Sequence, residues 1–103
     1  MEIMQFQYKA TKALANRAHV GVVGSGDLEV LMEPVRTEQT TILVRTGTEG
    51  FRGTWEAVLD RFFTVHEVAA KVTINDFGAT PGVVAMRLAQ ALEVSGTNVQ
   101  NEK

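Results

Sequence analysis

Cysteine is absent from the 103-residue chain. That removes disulfides, thiolate nucleophiles and cysteine-based metal sites together, and it fits a reducing compartment, so a cytoplasmic location is expected. No cluster of lysine and arginine is present, and ten basic residues stand against twelve acidic ones for a formal charge of −2. The counterion-release contribution that drives nucleic-acid binding is therefore missing, and no nucleic-acid partner is expected. No apolar run approaches the length of a membrane-spanning helix. The start, Met1-Glu2-Ile3-Met4-Gln5, has neither the basic flank nor the apolar stretch of a signal peptide. Histidine and proline occur only twice each. What is present is ordinary for one folded domain, with 45% hydrophobic and 21% charged residues. The expected domain spans residues 1–96, with residues 97–103 as a frayed polar tail.

Hydrophobic periodicity sets out the elements. Met4, Phe6 and Tyr8 alternate with Gln5, Gln7 and Lys9, the pattern of a half-buried strand. The stretch from Ala10 to Arg17 is either a helical turn or a polar loop. Ala18 to Val23 and Leu28 to Met32 read as two strands, and Gly24-Ser25-Gly26-Asp27 joins them as the turn of a β-hairpin, which places Ser25 at an exposed tip. Pro34 ends the second of these strands. Thr41 to Arg45 reads as a further strand, and Phe51, Trp55, Val58, Leu59, Phe62 and Phe63 recur at helical spacing. Lys71 to Ile74 reads as a last short strand. Thr80 and Pro81 then suit the N-cap and first position of a helix whose apolar face is Val84, Leu88, Ala91 and Leu92, and Gly96 suits its stop. The order of elements predicts an α+β, two-layer sandwich, a mostly antiparallel sheet with two helices packed on one face.

Candidate catalytic residues are few. His66 falls at a helix end, where a cation offsets the macrodipole, and that structural role is the ordinary one. His19 lies on the strand before Ser25. Strand rise carries it far from the hairpin tip, which disfavours a Ser25–His19 hydrolase. Asp27, Glu29 and Glu33 are too few for a hard-cation site; with Leu31 between them and no histidine near, Glu29 and Glu33 read as solvated charge, and no metal is expected. Gly21, Gly24 and Gly26 run in the order G-x-x-G-x-G, which is not the dinucleotide fingerprint, and a strand follows them instead of a helix. On the residues alone, Gly24-Ser25-Gly26-Asp27 is either a plain turn, the commoner use of such residues, or a modified site.

The wider sequence carries a resemblance. Arg17 to Leu31, centred on Gly21-Val22-Val23-Gly24-Ser25-Gly26-Asp27-Leu28, is similar to the segment around the modified serine in acyl-carrier (delta) subunits of malonate decarboxylase. Ile74 to Leu88, containing Asp76-Phe77-Gly78-Ala79-Thr80-Pro81-Gly82, is similar to a second hallmark of that family, and Trp55 to Phe63 resembles its helix. The likeness runs from about Met1 to Glu93. A weaker one, through Ser25-Gly26-Asp27, extends to the acyl-carrier (gamma) subunit of citrate lyase. The resemblance implies a non-catalytic subunit whose Ser25 bears a covalently bound phosphoribosyl-dephospho-CoA arm. That arm would carry acetyl or malonyl as a thioester during conversion of malonate to acetate and carbon dioxide. It implies as partners the transferase and decarboxylase subunits, the phosphoribosyl-dephospho-CoA transferase and the malonyl transferase, with no membrane involved. Four-helix carriers attach their arm at Asp-Ser-Leu opening a helix; the order Ser-Gly-Asp before a strand implies a different fold. Within this frame Gly24 and Gly26 leave room around the serine. Asp27 either closes the turn or positions the serine and its modifying enzyme. Asp76 and Gly78 either shape the strand-to-helix turn or belong to a partner interface, and Arg87, on the polar side of the last helix, either meets a partner subunit or stands on a solvated face. The competing readings are a carrier for a citrate-lyase-like complex, and an unmodified protein-interaction module.

Overall fold

The structure, a computed structural model, describes residues 1–97. The chain runs through β1 (Glu2–Lys9), β2 (Lys12–Ala13), β3 (Ala18–Gly21), β4 (Asp27–Pro34), β5 (Gln39–Thr46), α1 (Arg52–Val65), β6 (Val68–Phe77) and α2 (Pro81–Val94). The main path of the sheet is β1-β5-β6-β4-β3, and β2 pairs with the lower end of β6. Neighbours are antiparallel except β5 with β6 and the two-residue β2 with β6. Both helices lie against one face, so the two-layer α+β expectation holds.

Register explains the core. Ile42, Val72, Met32 and Ala18 sit in one row across β5, β6, β4 and β3, and Val44, Ile74, Val30 and Val20 in the next. All eight are buried, and they meet Trp55, Leu59, Phe62 and Phe63 of α1 and Val84, Leu88, Ala91 and Leu92 of α2. Alternation puts Glu29, Leu31, Thr73, Asn75 and Leu43 on the opposite face, which no helix covers.

Several expected bounds shift. The last strand extends from four residues to ten and becomes the centre of the sheet. The segment after Ala10 is neither helical nor a free loop: Lys12–Ala13 pair with Val68–Ala69, and Leu14 is buried. The first hairpin strand stops at Gly21, not Val23. Thr97 does not belong to a frayed tail. It is buried, its hydroxyl accepts from the Ala15 amide at 2.9 Å, and Ser95 Oγ donates to it at 2.7 Å. Residues 98–103, the rest of the expected tail, lie outside the described residues. Among the described residues no helix is long and apolar enough to cross a membrane.

β5 ends at Thr46, paired with Asp76 near the end of β6, and Asp76 in turn pairs with Leu28 at the start of β4. The loop bearing Ser25 therefore stands at the edge of the sheet from which the chain enters both helices.

Candidate attachment site

The β3–β4 hairpin closes through residues 22–26. Gly21 is held to Glu29 by the ladder, and its φ of +86° turns the chain out of it. A Cβ on Gly21 would stand 2.0 Å from the Leu28 carbonyl oxygen, so the strands approach there as only glycine permits. Val22 and Val23 then project into solvent at 58% and 62% exposure, and Phe77 beside them is half exposed.

Ser25 is exposed, as expected of a tip. Among the described residues its hydroxyl has no hydrogen-bond partner. Gly26 has a φ of +80°, and a Cβ there would meet nothing within 4 Å, so the space beside the serine is open. The loop is fixed just past the serine. The Gly26 amide donates to the Phe77 carbonyl at 2.7 Å, and the Asp27 amide donates to the Gly24 carbonyl at 3.1 Å.

Asp27 closes the turn through its own side chain, accepting from the Leu28 amide at Oδ1 (2.7 Å). It also does something the sequence did not disclose. Arg87 on α2 reaches it with two parallel bonds, Nε to Oδ1 at 3.1 Å and Nη2 to Oδ2 at 2.6 Å. These bonds hold the Asp27 carboxyl below the usual carboxylate range, with Arg87 the main cause. Arg87 is thus engaged within the chain and does not stand on a freely solvated face. Its third nitrogen, Nη1, donates to Gln90 Oε1 at 2.8 Å.

Asp76 faces inward at 6% exposure. Its carboxylate accepts from Thr46 Oγ1 at 2.9 Å and from the Ala79 amide at 3.0 Å, shaping the turn into α2. Gly78 serves the same turn with a positive φ and lies beside Gly26.

His66 stands at the helix end as expected, and His19 on its strand gains a partner that the sequence did not show. His19 Nε2 lies 2.7 Å from Glu29 Oε2, and Asn75 Nδ2 donates to Glu29 Oε1 at 2.9 Å. So a histidine does stand by Glu29, and that carboxylate is networked across the open face, held low chiefly by Asn75 and then by His19. The pair remains bonded within the sheet and apart from Ser25. His66 follows α1, its backbone N–H donating to the Phe62 carbonyl. Burial, with Lys12 nearby, pushes its ring below the ordinary histidine range, so at neutral pH it brings no charge to the helix end. Among the described residues no group of carboxylates and histidines has metal-site geometry.

A fixed turn that holds out an unbonded serine, on a scaffold whose polar side chains are engaged elsewhere, defines a domain that presents a hydroxyl. Residues 15–95 match the family described as Malonate decarboxylase delta subunit (MdcD). The chain belongs to that family, a carrier subunit and not a catalytic one. It is 48% identical over 94 residues to the malonate decarboxylase acyl carrier protein of Azotobacter vinelandii, covering 90% of this chain and 95% of that one. To the protein of the same name from Stutzerimonas stutzeri it is 44% identical over 97 residues, covering 93% and 98%. A chain in the crystal structure of a Pseudomonas malonate decarboxylase hetero-tetramer in complex with malonate superposes with a TM-score of 0.88 at 43% identity, over 93% of this chain and all of that one.

Proposed function

We propose that the chain is the acyl carrier of a cytoplasmic malonate decarboxylase, with Ser25 as the attachment point of a phosphoribosyl-dephospho-CoA arm. The observation that carries this reading is the free, exposed Ser25 hydroxyl between two glycines on an anchored turn. A serine hydroxyl is the right donor for a phosphodiester, and the open space at Gly26 leaves room for one. When bound, the group supplies a thiol on which acetyl or malonyl rides as a thioester. The residues of this chain have a narrower task. The Gly26 and Asp27 bonds fix where the tether begins, and the sheet beneath keeps that origin at one edge of the molecule. Tethering raises the local concentration of the acyl group at each active site it can reach, without any catalytic group in the carrier.

Its partners in this reading are the other malonate decarboxylase subunits, as the hetero-tetrameric relative suggests, together with the transferases that attach the arm and load malonyl. The exposed Val22, Val23 and Phe77 around the serine give such partners apolar surface to grip. The overall outcome is conversion of malonate to acetate and carbon dioxide.

Intact-mass analysis of the chain from its native host, with peptide mapping across Val20 to Glu33, tests the assignment. The expected result is a mass excess matching the arm, localised to Ser25 and lost in Ser25→Ala with the circular dichroism spectrum unchanged. Arm incorporation persisting in that variant, or an unmodified wild-type chain where the modifying enzyme is active, would overturn it.

A further inference from the structure

Three ion pairs other than the His19–Glu29 contact join charged groups in the described residues, and one differs in kind. Met1–Glu49 and Arg17–Glu33 are long, at 3.8 Å, and solvent-washed. Arg87–Asp27 is 2.6 Å with side chains only 21% and 17% exposed. It joins residues sixty positions apart, and its acidic member lies two residues beyond Ser25.

The geometry engages all three guanidinium nitrogens of Arg87. Two of its nitrogens take the two oxygens of Asp27 and the third is occupied by Gln90, so the guanidinium is held from the helix side as well as from the loop side. Such a fork fixes orientation as well as distance, which a lysine ammonium cannot do. The legs of the loop are unequal. Val22 and Val23 hang in solvent on the approach to Ser25, whereas Gly26 and Asp27 are tied to β6 and α2 on its far side. The direction in which the serine points is therefore set by the tied leg.

We propose that Arg87 is a positioning residue: by gripping Asp27 from α2 it holds the loop in the single arrangement that offers the Ser25 hydroxyl to the enzyme that modifies it. The inference rests on Ser25 being the attachment point. Arg87 touches neither the serine nor the arm and acts through Asp27 alone. Displacement of a reacting atom by about 1 Å costs on the order of 100-fold in rate, so a loosened leg acts on turnover more than on recognition.

The test compares the wild-type chain with Arg87→Lys, Arg87→Met and Asp27→Asn. One readout is the steady-state kinetics of arm transfer by the cognate transferase, followed by intact mass. The other is backbone 15N relaxation of Gly24, Ser25 and Gly26 in the unmodified chain. For all three variants kcat should fall about tenfold or more with KM within about twofold of wild type, as expected for lost orientation. Loop order parameters should drop from rigid values near 0.85 toward 0.6. Arg87→Lys should not rescue either readout, because it keeps the charge and lacks the fork. Combining Asp27→Asn with Arg87→Met should add nothing to either alone.

A rise in KM at unchanged kcat would overturn the proposal by showing direct contact with the transferase. A loss of thermal stability with wild-type kcat and loop order would overturn it in favour of a merely structural pair. If Arg87→Met does not fold, Arg87→Lys carries the same arms. Failure of the underlying reading looks different, since then the wild-type chain itself takes up no arm while the loop-order result still stands or falls on its own.

Discussion

Gly21 and Gly26 have nearly the same left-handed backbone, with φ of +86° and +80°, yet they answer to different constraints. At Gly21 a Cβ would run into the Leu28 carbonyl; at Gly26 it would enter open space. Gly26→Ala should therefore cost only the left-handed penalty, about 1–2 kcal/mol. Gly21→Ala adds overpacking to that penalty and should cost about 3 kcal/mol or more. Urea unfolding of the two variants checks the ranking, and equal costs would mean that the β3–β4 edge relaxes around the added methyl. The turn itself was legible, because Gly-Ser-Gly-Asp between two apolar runs has a local cause. The partners of its side chains were not. Arg87 meets Asp27 only because α2 returns beside β4, and His19 meets Glu29 only because the hairpin register sets Glu29 diagonally across from it, with Leu31 directly opposite. Local periodicity places a residue on a face and says nothing about which distant side chain shares it.

At the level of elements, the two helices start differently. The Thr80 hydroxyl accepts from the Val83 amide at 3.3 Å and Pro81 follows, so α2 carries its own N-terminal signal. α1 begins after Phe51 without a side-chain cap and depends on burying Trp55, Leu59, Phe62 and Phe63. Thr80→Ala should thus destabilise the fold by about 1 kcal/mol, the usual worth of such a cap. Leu59→Ala, at a site with no exposure, should cost about 2–5 kcal/mol. Thermal unfolding followed by circular dichroism distinguishes them, and a Thr80→Ala cost matching that of Leu59→Ala would contradict this division of labour. The capped helix was readable almost to the residue because its signals are local. β6 was read short for the opposite reason. Ala69 and Ala70 favour strands weakly, and Asn75 and Asp76 resemble turn formers, yet Ala13 and Pro34 pair with the two alanines, and β4 and β5 flank Asn75 and Asp76 on both sides. Tertiary pairing overrode propensity at the strand that holds the sheet together.

Across the whole molecule, the perturbed acids and bases pull stability in a definite direction with pH. Asp27 and Glu29 have carboxyls held below their ordinary range by hydrogen-bonding partners. Their contribution is present above the unfolded carboxylate values and is lost as pH falls through the lowered folded ones. His66 is also lowered, by burial, so the unfolded chain takes up that proton first and stability declines as pH drops below the ordinary 6.5. Tyr8 is shifted the other way: burial and a 2.6 Å bond from its hydroxyl to Asp60 raise it. Its contribution is complete below the ordinary 10.0 and is lost as pH climbs beyond that. The melting temperature should therefore be level between the ordinary histidine and tyrosine values, fall gently on first acidification, and fall more steeply in the carboxylate range. Scanning calorimetry of wild type against His66→Gln and Tyr8→Phe separates the limbs. His66→Gln should flatten only the shallow segment just below neutrality, and Tyr8→Phe only the alkaline decline. Because His66 lies beneath the C-terminal end of α1 and Ser25 stands at the far edge of the sheet, His66→Gln should also leave the mass gained at Ser25 unchanged. An altered alkaline limb in His66→Gln, or an unchanged one in Tyr8→Phe, would break the assignment of each slope to its residue.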